Sequence, residues 1–376
     1  MSSTSSKNIV EDEAQQLKRK IDLKTKPLGS LGRLEDLALQ IGMVQNTLSP
    51  VLTKPVLVVF AADHGIALSG VSPYPQEVTH QMVKNFIADG AAINVFCRQN
   101  SIALKVVDAG VNHDFDPELL VDHSADSVSD GVRKIINAKV AYGTKNFLHE
   151  SAISPEQCVE ARRHAEKIVE KLYADDSNII GFGEMGISNT SSAAIIMHKI
   201  CNIPLELCVG AGAGLDKEGV AKKLSILKQA VKRVESVVES ESESESEPGQ
   251  LSPLAVLRLL QNFGGFEIAM IAFAMLRATE KRMIILVDGF ISSASFLVAH
   301  ALDKRVMDCA IFCHLSDESG HKLMVDYLGV KPLLDIGLRL GEGTAAALSY
   351  PIVAAAVNFL NQMASFESAN VSGPRQ

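Results

Sequence analysis

The sequence predicts an α/β protein. It reads as a mostly parallel six-stranded sheet covered by helices. Three observations predict this. Short continuous apolar runs such as Val56–Phe60 and Arg282–Val287 have the length and β-branched content of strands buried on both faces. Stretches with apolar residues at helical spacing alternate with them. Polar, glycine-rich segments follow the runs directly, and open parallel sheets bind their ligands at those carboxyl ends.

Taken in order, residues 1–8 are small and polar and are expected to form a disordered tail. An amphipathic helix over Val10–Asp22, the turn-rich loop Lys26–Arg33 and a helix from Leu34 to about Val44 come first. The expected strands are Val56–Phe60, Ala103–Val111, Asn178–Gly181, Pro204–Val209, Arg282–Val287 and Cys309–His314. Helices are expected near Glu77, after Gly90, from Pro155 to about Leu172, after Asp216, and on to about Thr279. The alanine-rich end from Thr344 to about Phe366 should be helical, with a kink at Pro351. The stretch 239–249, mostly alternating Glu and Ser, offers nothing to bury and reads as an exposed, disordered acidic insertion.

Composition narrows the function. The chain has 376 residues, enough for about two domains, and is 47% hydrophobic. A net charge of −8 argues against a nucleic-acid partner. No uninterrupted apolar run reaches a membrane span, and the first residues do not resemble a secretion signal. The six cysteines are scattered in the manner of reduced thiols, so a cytoplasmic location is expected. Cys309, Cys313 and His314 have a spacing that raises zinc, but they sit in an apolar run without a second ligand pair. No metal or cofactor is expected.

The stretch Ile179–Ser192 holds the strongest motif. Gly181, Gly183 and Gly186 spell G-x-G-x-x-G after a strand, and Glu206 lies about 20 residues on, as in a dinucleotide fold. An NAD(P)-dependent oxidoreductase is therefore one alternative. Glu184 counts against it, because a carboxylate inside the loop repels a pyrophosphate and is better suited to ribose hydroxyls. Gly210, Gly212 and Gly214 with Lys222 and Lys223 downstream fit a monophosphate, to which Ser292 and Ser293 add hydroxyls. Asp63 and His64 are either an acid–base pair or loop-orienting residues. Glu318 is a loop carboxylate beside an apolar strand and a candidate general base.

Five segments together carry a resemblance: Lys26–Glu35, Ala61–Gly65, Gly183–Thr190, Asp288–Phe290 and Arg339–Thr344. In order along the chain, they resemble the nicotinate-nucleotide–dimethylbenzimidazole phosphoribosyltransferases. The resemblance implies transfer of phosphoribose from nicotinate mononucleotide to 5,6-dimethylbenzimidazole, giving α-ribazole 5′-phosphate and nicotinate for the cobalamin nucleotide loop. It also implies a homodimer without a metal requirement, with a Rossmann-like large α/β catalytic domain over 51–320 and a small helical domain made from the N- and C-terminal segments, 9–50 and 321–376. By motif, Glu318 matches the general base, and Glu184, Gly186, Gly212, Lys223 and Ser292 match nucleotide-binding positions. Ser72, Tyr74, Met82, Met185 and Leu315 match the benzimidazole pocket. The chain departs from the family pattern at Ser188, Ala213, Ser319 and Ala345. A non-catalytic protein that binds the nucleotide or a benzimidazole is the other alternative.

Because the acidic tract has no apolar side chains, deleting Ser240–Glu247 should leave activity and melting temperature nearly unchanged. A drop of several degrees in a thermal melt would show that the tract packs.

Overall fold

The structure is a computed structural model that describes residues 3–123, 128–129, 132–238 and 251–372. The acidic insertion over 239–249 and residues 1–2 lie outside the described residues. Among the described residues nine strands form: β1 (Val56–Ala62), β2 (Ala103–Gly110), β3 (Leu120–Val121), β4 (Val128–Ser129), β5 (Val132–Arg133), β6 (Ile135–Asn137), β7 (Ile179–Met185), β8 (Ile284–Val287) and β9 (Ala310–Phe312). Seven of them make one parallel sheet in the order β3-β6-β2-β1-β7-β8-β9, and β4 and β5 pair as a small antiparallel ribbon.

Every residue of β1 is buried, as expected for a central parallel strand with helices on both faces. The helix Phe266–Glu280 packs on the sheet and against Pro155–Ala174, while Thr344–Gln362 lies against β7, β8 and the helix Arg33–Gln45. Thr344–Gln362 is long and apolar enough to cross a membrane, but here it is a packed helix. Pro351 lies inside it and cannot donate to the carbonyl of Ala347. The Asn100 amide donates to that carbonyl instead, at 2.8 Å.

The sheet has seven strands where six were expected, and one expected strand is absent. Pro204–Val209 forms a helical turn, Leu205–Cys208. Leu205 and Cys208 are buried three residues apart while Leu207 is half exposed, so the run follows a helical period too short to reveal itself by pattern. The short β3 and β6 lie in the region where the sequence pattern is weakest. The first helix begins at Ser3 rather than Val10. Once the amphipathic part has nucleated, each further residue costs little.

The glycine motif also differs from expectation. β7 runs on to Met185, and Gly181 and Gly183 pair within it with Leu57 and Val59. They are packing glycines rather than a phosphate-binding turn. A Cβ on Gly181 would press on Ala346, and one on Gly183 would overlap the carbonyl of Glu342. Glu206 is exposed and paired with Lys228. The dinucleotide reading fails on both counts.

Gly183→Ala should thus force the Glu342 backbone away from β7, at a cost of about 1–3 kcal/mol or more. The checks are a thermal melt and nucleotide binding; an unchanged melting temperature would show that the 339–343 loop moves freely.

Candidate active site

The carboxyl ends of β1, β7, β8 and β9 lie at one edge of the sheet, and the loops that follow β7, β8 and β9 surround a cavity of about 200 Å³. Glu184, Met185 and Gly186 come from the end of β7, Ser292 from the helix after β8, and Glu318 from the loop after β9. Gly212 closes one side and the 339–342 loop the other. A smaller adjoining cavity of about 50 Å³ shares Gly186, Asn189, Thr190 and Gly212 with the first, and adds Ser72 and Lys223. The two are lobes of one site.

In the smaller lobe, Lys223 is 1% exposed; its ammonium donates to Thr190 Oγ1 at 2.7 Å and to the Gly210 carbonyl at 3.4 Å. Burial lowers its pKa to about 8, against the opposing pull of Glu318. A buried ammonium with only two acceptors has a donor left for an anion. Lys222, its neighbour, is exposed. Gly212 adopts φ +55, a left-handed conformation open to glycine, and its N–H donates to Glu318 Oε1 at 3.1 Å. The Glu318 side chain lies so close to Gly210 that a Cβ there would overlap it.

In the larger lobe, Glu184 is wedged between the Asn189 amide, which donates to Oε2, and the Gly341 backbone beside Oε1. Burial, with the carboxylates of Glu267, Asp288 and Glu342 adding to it, pushes its pKa up to about 8 despite the Asn189 hydrogen bond. Burial and then Asp288 push Glu342 up to about 7. His321 accepts from the Ser316 N–H through Nδ1, at 2.8 Å, so Nε2 is protonated and donates to Ser293 Oγ at 3.0 Å. Burial, then His314, drives its pKa down to about 3 and keeps the ring neutral.

Of the residues singled out from sequence, Glu318, Glu184, Gly186, Gly212, Lys223, Ser292, Ser72 and Met185 line the two lobes. Tyr74, Met82 and Leu315 do not line either: Tyr74 is half exposed, while Met82 and Leu315 are partly buried. Asp63 and His64 are buried beneath the site. His64 Nε2 lies 2.6 Å from Glu267 Oε1, and its Nδ1 lies 3.2 Å from Ser192 Oγ. His64 therefore orients a loop and does not face substrate. The sequence reading missed Glu267, Asn189 and Glu342. Glu267 did leave a signal, as a charge inside the otherwise apolar run Phe266–Leu276.

A buried ammonium beside a glycine-rich loop, next to carboxyls suited to hydroxyls, equips an α/β enzyme for a phosphorylated sugar. The comparisons are specific about which kind. A phosphoribosyltransferase family model matches residues 7–371. The chain is 50% identical over 357 residues to the nicotinate-nucleotide–dimethylbenzimidazole phosphoribosyltransferase of Dechloromonas aromatica (strain RCB), covering 95% of this chain and 94% of that one. It is 45% identical over 356 residues to the enzyme of the same name from Bacteroides fragilis, covering 94% of each. Among solved structures, CobT from Thermus thermophilus superposes with a TM-score of 0.84 at 34% identity, over 96% of this chain and 99% of that one. The chain belongs to this phosphoribosyltransferase family.

The raised carboxyls make a stability prediction. A carboxyl whose folded pKa exceeds its unfolded value favours the fold fully below the unfolded value, and that contribution is lost as pH rises through the folded one. For Glu184 the window runs from 4.5 to about 8. The ligand-free protein should lose melting temperature across that window, and Glu184→Gln should flatten the loss. A variant with the same pH slope as the parent would show that Glu184 ionises freely in the fold.

Proposed function

We propose that the protein transfers the 5-phosphoribosyl group of nicotinate mononucleotide to 5,6-dimethylbenzimidazole, releasing nicotinate and forming α-ribazole 5′-phosphate for the cobalamin nucleotide loop. The observation that carries the reading is the meeting of Lys223, Glu184 and Glu318 around one cavity, in a chain half identical to named enzymes of this activity along nearly its whole length.

The phosphate is assigned to the junction of the two lobes, held by Lys223 of the smaller, by the Gly212 N–H that both share and by the Ser292 hydroxyl of the larger. The ribose lies beside Glu184. The benzimidazole enters on the side of Glu318 and Met185; the resemblance adds Ser72, Tyr74, Met82 and Leu315 as further contacts, of which Ser72 alone lines a lobe in the ligand-free protein. One benzimidazole nitrogen attacks C1′ with its lone pair while the C1′–N bond to nicotinate breaks. Attack from the opposite face turns β into α configuration. The leaving ring begins as a pyridinium and departs neutral, so it needs no proton. The proton on the other benzimidazole nitrogen goes to Glu318.

Binding order follows from one hydrogen bond. The Gly212 N–H that the phosphate needs is engaged by Glu318 in the ligand-free protein. A phosphate that takes over this donor releases the carboxylate to meet the benzimidazole N–H. The nucleotide thus prepares the base for the second substrate.

We assign the enzyme to the cytoplasm as a homodimer; the six buried free thiols fit a reducing compartment. The division into a small helical domain (9–50 and 321–376) and a large domain (51–320) is supported by the packing of the terminal helices on one another.

Release of nicotinate on mixing the protein with nicotinate mononucleotide and 5,6-dimethylbenzimidazole tests the function; binding without release would make it a non-catalytic receptor. General-base assistance is worth about 10²- to 10⁴-fold in rate. Glu318→Gln should thus lower kcat by on the order of 10²-fold or more, with little change in KM for the nucleotide. A near-normal kcat would remove Glu318 from the proton transfer.

A further inference from the structure

Ser188 has no part in the proposed reaction, yet it stands out in the smaller lobe. It is 7% exposed and lines that lobe, and its Oγ has no hydrogen-bond partner. The other polar side chains there are engaged. Ser72 Oγ accepts the Tyr74 N–H at 3.2 Å, the Asn189 amide donates to Glu184, and Lys223 donates to Thr190 Oγ1 at 2.7 Å. A buried polar group without a partner destabilises the fold, and a ligand that supplies the partner removes that cost.

The backbone carries a second, independent sign. Ser188 stands just before the helix Asn189–Cys201, with φ +81 and ψ +3. A serine in that position ordinarily takes extended backbone and caps the helix, its oxygen accepting an N–H of the first turn. Here the side chain makes no such bond. The left-handed conformation is one that glycine adopts freely and a residue with a Cβ only under strain. The serine thus neither caps the helix nor eases the turn. Strain held beside a cavity points to a side chain whose use lies in the site.

Its surroundings define what the hydroxyl meets. Residues 187–190, which line the lobe, lead into and open that helix. The first-turn N–H groups and the dipole of a helix favour an anion at this end. Lys223 brings a buried ammonium to the same lobe. The ligand group that suits both is a negatively charged acceptor, and a hydroxyl beside such a group donates to it.

We propose that Ser188 is a substrate-binding residue whose hydroxyl donates to a phosphate oxygen of the nucleotide, beside Lys223. This rests on the phosphoribosyl-transfer reading above and deepens it. The bond gives a reason for a serine where the backbone alone would favour glycine. The phosphate keeps its charge from substrate to product, so the bond strengthens ground state and transition state alike and acts on binding, not on the chemical step.

Calorimetric titration with nicotinate mononucleotide, inorganic phosphate and nicotinate riboside, beside steady-state kinetics with 5,6-dimethylbenzimidazole, provides the test. The enzyme as it exists is compared with Ser188→Gly, which suits the φ of this position, and with Ser188→Ala, which keeps the Cβ and removes only the hydroxyl. Both variants should bind the nucleotide and inorganic phosphate about 10- to 100-fold more weakly, the range for one hydrogen bond to a charged group. Both should bind the riboside as the unaltered protein does and keep kcat nearly unchanged at saturating nucleotide. Ser188→Gly should also melt no lower than the parent protein. Unchanged affinity for the nucleotide and for phosphate overturns the assignment. So does an equal loss on the riboside, the mark of a disturbed loop, and so does a loss confined to Ser188→Gly, which would belong to the backbone. No nicotinate released by the unaltered enzyme sinks the phosphoribosyl-transfer reading itself. The phosphate titration needs no turnover, and still decides whether the Ser188 hydroxyl serves an anion.

Discussion

Asp288 makes the contact on which the geometry of the site depends. Its buried carboxylate, at the end of β8, accepts from the Ala346 N–H at 2.9 Å and the Gly343 N–H at 3.2 Å. These are donors at the start of the helix Thr344–Gln362, which a helix cannot satisfy internally. A residue at the end of β8, next to the sheet's edge strand, thus caps a helix from the far end of the chain. The cap fixes where the 339–343 loop lies, and with it the wall that holds Glu342 and flanks Glu184. Without a glycine at 183 the same loop would not reach the sheet.

A second buried contact supports the opposite side. His64 and Glu267, both fully buried, join the loop after β1 to the helix Phe266–Glu280. Gly186 lies against them, so closely that a Cβ would touch the Ala62 carbonyl and approach both side chains. The Gln76 amide donates to the His64 carbonyl at 3.0 Å, which ties the start of the Glu77–Ile87 helix to the same point. Removing one member of a buried pair costs about 3–5 kcal/mol. The pair therefore sets the entry of β7 into the nucleotide loop without touching the cavity.

Much of this was legible in the sequence, for identifiable reasons. Buried parallel strands are continuous apolar runs, so β1, β2, β7, β8 and β9 announce themselves, and the polar loops after them mark the ligand edge. Leu205–Cys208 was misread because four residues are too few to separate a period of 3.6 from one of 2. The G-x-G-x-x-G misled because glycine serves close packing as well as phosphate turns, and only the register with β1 tells them apart. Glu318, Glu184 and Lys223 stood out as polar groups in glycine-rich or post-strand loops. Asp288 was noticed only as a loop acid, since its partners lie 55 and 58 residues away. Ser188 was noted as a departure from a common glycine; its φ of +81 shows the backbone conformation that glycine accommodates there.

The distribution of charge gives the proposed chemistry its direction. In the proposed reading the buried cation Lys223 holds the phosphate and Glu184 meets the ribose, with Glu318 at the junction where Gly212 is shared. In the substrate the positive charge sits on the pyridinium ring. As the C1′–N bond breaks, that charge passes to the ribose carbon and ring oxygen, and after attack to the benzimidazole, from which it leaves as a proton. Groups already oriented toward developing charge stabilise a transition state more than a ground state whose charge lies elsewhere. In its ionised form a carboxyl beside the ribose meets that condition for the step in which the sugar is cationic, and Glu318 meets it for the step in which the base is. A lysine beside the phosphate, whose charge is constant throughout, contributes to binding. The same cavity thus separates groups that hold the nucleotide from groups that favour its cleavage.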